Sequence, residues 1–390
     1  MLFPICLGKS IRGGTWVAKT KYRGHIAIGV DEVNESWRFA QNRTEFFGSI
    51  SRDFNMSQFS NGFEALEDRV LLAGNVMVAY NAAGDLVVTG DNAANNISIV
   101  DTDGDGHYVI VGNDGENIEY SDEVIAAGVF DLDANGVSTD DNMNVFNAPT
   151  AAAGDNLIVN LKGGNDTLTV VDSGAAGDLG AGLDLHVNMA TGDDNVNIMG
   201  AGQITFEDVS IDLGIGHDRL LIDNATANTL RVAGGAGNDE FGITNFNAHL
   251  LSMAGGVGTD NISVSLSNIN DTSISGGAGS DNINVSNSLL GDLSLTGNAG
   301  RDQINLDNIF VTGRTNVGMN GGRDLVNIQN SVFDGSFSLN GGNGRDEVSI
   351  YNNAFHSEVS FNGGGGRDDL YGFDTNTGVS RSDIRSFRIN

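Results

Sequence analysis

The sequence predicts an all-β chain whose body is a right-handed parallel β-helix solenoid with coils of 21–22 residues, preceded by an irregular N-terminal segment. Three observations carry this. Eight aspartates, Asp218, Asp239, Asp260, Asp281, Asp302, Asp324, Asp346 and Asp368, recur at steps of 21 or 22 residues. Most close a glycine-rich turn, as in Gly234-Gly235-Ala236-Gly237-Asn238-Asp239, and each is followed by apolar residues at alternate positions. A period in this range with a turn signal in every copy means stacked units.

The alternation fixes the inner face, because side chains two apart on a strand point the same way. Two and four residues past the aspartates come Leu220/Ile222, Phe241/Ile243, Ile262/Val264, Ile283/Val285, Ile304/Leu306, Val326/Ile328 and Val348/Ile350, one buried wall. Leu230/Val232, Leu251/Met253, Leu293/Leu295, Phe337/Leu339 and Val359/Phe361 precede the glycines as a second wall. Leu289/Leu290, Val332/Phe333 and Phe355 suit a short third side. One repeat then equals one coil, with like strands of successive coils pairing at about 4.8 Å. Six residues past the aspartate, the same parity sets Asn224, Asn245, Asn287, Asn308, Asn330 and Asn352 inward, with Leu266 as the exception. Stacked amides one coil apart satisfy each other, so the column reads as structural.

Composition agrees. Of 390 residues 55 are Gly and 2 are Pro, which suits many turns and short strands. No coil folds alone, but the thin core grows with each one added. The 51 acidic against 20 basic side chains leave a net charge of −31, which excludes nucleic acid as a partner and points to a calcium-containing or saline extracellular or cell-surface setting. A single Cys6 excludes an intramolecular disulfide. No stretch approaches the ~20 apolar residues of a membrane helix, so no transmembrane span is expected.

Five segments follow. Residues 1–62 form a basic, poorly ordered N-terminal or export segment, with Lys9, Arg12, Lys19, Lys21, Arg23, Arg38, Arg43 and Arg52 in its length. Residues 63–74 form a distinct motif, 75–150 an irregular β region with acidic turns, 151–375 the repeats and 376–390 a C-terminal cap. The cap, with Arg381, Arg385 and Arg388, blunts the open end of the stack against edge pairing. The turns Gly163-Gly164-Asn165-Asp166 and Gly192-Asp193-Asp194 mark the first, irregular coils.

The motif at 63–74, Phe-Glu-Ala-Leu-Glu-Asp-Arg-Val-Leu-Leu-Ala-Gly, resembles the LEPR-XLL motif near the N-termini of large surface and secreted proteins of planctomycete bacteria. Leu66, Glu67, Arg69, Leu71 and Leu72 match, whereas Asp68 stands where that motif has proline. The resemblance covers a dozen residues and implies export rather than an activity. The glycine turns resemble the calcium-binding nonapeptide repeats of secreted toxins and adhesins, best at Gly234 to Ile243, Gly255 to Val264 and Gly276 to Val285. Glycines let backbone carbonyls turn toward the gap between coils, and an aspartate adds a hard anionic oxygen, so Asp218, Asp239, Asp260 and Asp281 are the expected Ca²⁺ ligands. That family places a turn every nine residues on both sides of a flattened roll. Here there is one turn per coil, so at most one column of ions forms.

The residue before each aspartate runs His217, Asn238, Thr259, Ser280 and then Arg301, Arg323, Arg345, Arg367. Guanidinium–carboxylate pairing is expected to replace ions from Arg301 onward. Two further acidic turns, Asp101-Thr102-Asp103-Gly104-Asp105-Gly106 and Asp131-Leu132-Asp133-Ala134-Asn135-Gly136, look like the first half of an EF-hand loop. Asp101, Asp103, Asp105, Asp131, Asp133 and Asn135 are their candidate calcium ligands, although both turns lack a glutamate at the twelfth position, where Gly112 and Asn142 stand.

The function expected is a non-catalytic, calcium-binding structural or adhesive protein of the cell surface or matrix, with cell-surface polysaccharide or other surface proteins as partners. A carbohydrate-active β-helix, either polysaccharide lyase or hydrolase, or a polysaccharide-binding module, is the alternative. Such chemistry needs two non-equivalent carboxylates or a base beside a cation-bound uronate. The column carboxylates are equivalent, the six histidines share no spacing, and Arg314 is the one candidate for a uronate contact.

Overall fold

The computed structural model of the chain describes residues 74–101, 107–113, 117–121, 156–172 and 182–390, together with the strands Cys6–Lys9, Thr15–Lys19, His25–Asp31, Ser36–Gln41, Thr44–Gly48 and Phe146–Asn147. Two compact units divide it, Met1–Arg69 and Val70–Asn390. In the first, the five strands from Cys6–Lys9 to Thr44–Gly48 pair in sequence order as an antiparallel meander. The export-motif resemblance at 63–74 lies outside the described residues except for Gly74.

The second unit is a parallel β-solenoid of about nine turns, with no α-helix among its described residues. Its register follows the apolar alternation. Leu220, Phe241, Ile262, Ile283, Ile304, Val326, Val348 and Leu370 are neighbours in one parallel column. A slip by one residue would turn a coil's apolar set to solvent, so this column keeps its register, whereas the earlier strand Asn195–Ile215 shifts between Met199 and Ile204. Burying each such side chain contributes roughly 1.5–3 kcal/mol, repeated coil after coil. The second wall is buried as expected at Leu230, Leu251, Leu293 and Phe337, and Thr272 and Thr315 fill the same position in the coils lacking a hydrophobe there.

The third side admits one residue of each pair: Leu290, Val311, Phe333 and Phe355 are inside, whereas Leu289 and Phe310 face out. At the C-terminal end Phe333, Phe337, Phe355 and Phe361 pack with ring centroids 4.9–6.0 Å apart. Offset and edge-on rings of this kind add to the burial of the open end.

The solenoid begins earlier than the repeat does. Leu86–Thr89 pairs in parallel with Asn156–Asn160, and Asn96–Asp101 pairs in parallel with Thr167–Asp172, so a first coil exists across a long excursion of the chain. Antiparallel partners Asn75–Tyr80 and His107–Gly112 flank these two strands. At the other end the chain closes with two 3₁₀ turns and the short strands Ile384–Arg385 and Phe387–Ile389, added in parallel to the last coil. Among the described residues no helix is long and apolar enough to cross a membrane.

Candidate functional site

The aspartates stand inside the wall. Counting back by two from Leu220 reaches Asp218, so the parity that buries the hydrophobes buries the carboxylate too. Asp166, Asp194, Asp218, Asp239, Asp260, Asp281, Asp302, Asp324, Asp346 and Asp368 are each 1–3% exposed. The backbone N–H of each aspartate donates to Oδ1 of the aspartate one coil on, at 2.7–3.0 Å from Asp166 through Asp346. Asn95 starts the column, donating to Asp166 Oδ1 through its backbone N–H at 2.7 Å and its amide at 3.1 Å. The acid therefore serves first as the acceptor for a donor that the tight turn leaves without a strand partner.

Its other oxygen is different. Oδ2 of Asp194, Asp218, Asp239, Asp260, Asp281, Asp302, Asp324, Asp346 and Asp368 is buried without a hydrogen-bond partner. In most of these coils it sits against the first glycine of the turn: a Cβ built on Gly255 would lie 2.4 Å from Asp260 Oδ2. Burial pushes these carboxyls up, against the opposing pull of the backbone N–H bond. Asp194 and Asp218 reach about 7, and Asp260, Asp302, Asp324 and Asp346 about 6. Asp239 and Asp281 are raised for the same reason. Desolvation outweighs the single hydrogen bond that favours the charged form.

The last glycine of the turn answers to a closer approach. Gly258 has φ 150°, and a Cβ there would lie 1.4 Å from the carbonyl oxygen of Gly237 in the preceding coil. Only hydrogen fits, and the same holds from Gly192 through Gly366. The glycine pattern is thus explained by coil stacking itself.

The asparagines six residues past the aspartate point outward, a correction to the inward column that parity predicts. Asn224, Asn245, Asn287, Asn308, Asn330 and Asn352 adopt left-handed φ of 51–59°, which kinks the strand and reverses the alternation. Asparagine tolerates that conformation better than most residues. The next residue then enters the core, and Ser267, Ser288, Ser331 and Asn353 do so as polar side chains that accept backbone N–H bonds from the preceding coil at 3.0–3.2 Å.

The arginine expectation also changes. Arg301, Arg323, Arg345 and Arg367 are exposed, one residue out of phase with the buried acids, and none pairs with a column aspartate. Arg345 reaches Asp369 at 3.5 Å, which Arg388 also engages. In earlier coils the same outer position forms a ladder of its own, with the N–H of Asn238 donating to His217 Nδ1 and that of Thr259 to Asn238 Oδ1. Arg314, the uronate candidate, is held by Asp292 through its backbone N–H at 2.7 Å and its guanidinium at 3.0 Å.

Of the expected calcium ligands, Asp218, Asp239, Asp260 and Asp281 come together in the column, each with one oxygen committed to a backbone N–H and one facing the inner side of the turn. Asp103, Asp105, Asp131, Asp133 and Asn135 lie outside the described residues, and only the backbone of Asp101 is described, at the end of a strand paired with Asp172. Among the described residues no group of three or more His, Cys, Asp or Glu side chains is arranged to hold a metal ion. The periodic signal omits Asp166 and Asp194, because the irregular early coils break the step. Asn95 has no periodic signal, since 71 residues separate it from its partner. No protein-family model, curated protein or solved structure matches the chain.

Proposed function

We propose that the chain is a non-catalytic structural solenoid of the cell surface or extracellular matrix, whose long faces serve adhesion. The observation that carries this reading is the register kept from coil to coil from Asp218 onward. Ladders of Asp and Gly repeat at one position per coil, with Ser added in some coils, so the chemistry goes into stacking a rod and the outer faces repeat along it. The acidic exterior, at a net charge of −31, suits a saline surrounding. The test is to incubate the full chain with a panel of acidic and neutral polysaccharides while following new reducing ends, and to locate the protein in its cells by surface proteolysis. Turnover that a single carboxylate change abolishes, or protection from protease in intact cells, would overturn the reading.

Calcium enters as a second reading because of one observation, the row of partnerless Oδ2 atoms. A buried carboxylate row is neutralised by protons or by cations. An ion requires further oxygen ligands beyond one carboxylate atom per coil, since Ca²⁺ takes six to eight. A rise in the thermal midpoint of the full chain with Ca²⁺, reversed by chelator and absent in Asp260→Asn, supports cations in the row. An unchanged midpoint removes cations from the row and leaves its charge to be set by pH alone.

A further inference from the structure

On a chain with 51 acidic residues, one edge of the solenoid is basic. Arg301, Arg323, Arg345 and Arg367 follow glycines that are register partners, Gly300 with Gly322, Gly322 with Gly344 and Gly344 with Gly366. The four stems therefore rise in single file, about 4.8 Å apart and about 14 Å from first to last. All four are exposed, and among the described residues Arg301, Arg323 and Arg367 have no acid within ion-pair distance.

Their surroundings favour an anion. The turn segments 296–299, 318–321, 340–343 and 362–365 carry no charged residue at all. They present asparagine amides instead, with Asn320 bonded to Asn298 at 3.2 Å and Asn362 to Asn340 at 3.3 Å. On the other flank stand Gln303 and Leu325 beside the first two arginines, and Glu347 and Asp369 beside the last two. Asp369 is already taken by Arg388 and Arg345, and its carboxyl is held low by the Asn390 amide and these arginines. At the end of the file Arg345, Arg367 and Arg388 line a concavity of about 360 Å³, together with Asp368, Asp369 and Phe387.

We propose that this edge binds a linear polyuronate laid parallel to the solenoid axis, its carboxylates on the arginine file and its hydroxyls on the amides, with one chain end in the concavity. Guanidinium groups match planar carboxylates two bonds at a time, and amides supply both donors and acceptors for sugar hydroxyls. A straight file of like charges at regular spacing selects an extended polymer over a compact anion. Nucleic acid fits less well. The segments 296–301, 318–323, 340–345 and 362–367 contain no aromatic ring on which bases stack. Each exposed contact is weak alone and gains from its neighbours on one polymer, so binding falls with salt.

The inference rests on the adhesive reading above and names its partner. The test is binding of the full chain to immobilised polygalacturonate at low salt with chelator present, which removes cation bridges between acidic groups. The chain is expected to bind, with affinity about tenfold or more lower in the triple variant R301Q/R323Q/R367Q and unchanged in R314Q, whose guanidinium is elsewhere and paired. All three substitutions are on exposed side chains, and an unchanged far-ultraviolet spectrum certifies the fold. Absence of binding, equal binding by the triple variant, or tighter binding to single-stranded DNA than to polygalacturonate overturns the proposal. Release of new reducing ends during binding would instead overturn the non-catalytic scaffold while leaving the arginine edge in place.

Discussion

Replacing Asp260 by asparagine separates the two oxygens of the buried acid. The Oδ1 that accepts the Asp239 N–H at 2.9 Å is retained, while the partnerless Oδ2 becomes an amide that carries no charge. Burial raises the carboxyl from 3.8 to about 6. Because the folded-state value lies above the unfolded one, the native state binds more protons between those values, and stability falls as pH rises through them. Below 3.8 the penalty is absent, and above about 6 it is complete. A displacement of that size sets a ceiling of roughly 3 kcal/mol on the penalty. Asp260 is 1% exposed, but solvent lies just across a wall one strand thick, and screening reduces the expected effect to ~1 kcal/mol. Urea unfolding of parent and variant at several pH values reports this acid together with its coupling to Asp239 and Asp281, since the titration of the acidic surface is common to both. Relative to the parent, the Asn variant is expected to gain ~1 kcal/mol between pH 4 and pH 8, on top of a constant cost for its buried amide donors. A difference that does not vary with pH refutes the account of a desolvated acid.

Gly258→Ala sets a Cβ 1.4 Å from the Gly237 carbonyl and is expected to cost more than ~3 kcal/mol, whereas Gly242→Ala meets only Leu221 Cδ1 at 3.3 Å and shifts the thermal midpoint little. Leu266 holds φ 53° while 57% exposed, so Leu266→Asn is expected to stabilise by ~1 kcal/mol, read as a higher urea midpoint. Phe333→Ala removes a ring in contact with Phe337 and Phe355 and is expected to cost ~3–5 kcal/mol, with amide exchange accelerating first in the C-terminal coils.

The amino-acid order by itself determined the coil. Alternation of apolar residues at a step of 21–22, broken by glycine turns, names the strands, the inner face and the register, because strand parity and the coil period are local and repeat. The same parity is compatible with Asp218, Asp239, Asp260 and Asp281 lying inside, but the sequence offered them only as calcium ligands of the turn, and the structure decided their burial. Tertiary structure decided what parity cannot carry. A left-handed residue at Asn245 or Asn287 reverses the alternation, so the asparagine faces solvent and the next residue, Phe246 or Ser288, enters the core. The use of each Oδ1, the isolation of each Oδ2 and the single file of arginines depend on the coil above and below. So does the first coil, where Asn95 meets Asp166 across 71 residues. Periodicity reports how a chain pairs with its own repeat. Which atoms a neighbouring coil leaves satisfied is a property of the stack, set by approach distances that no single coil contains.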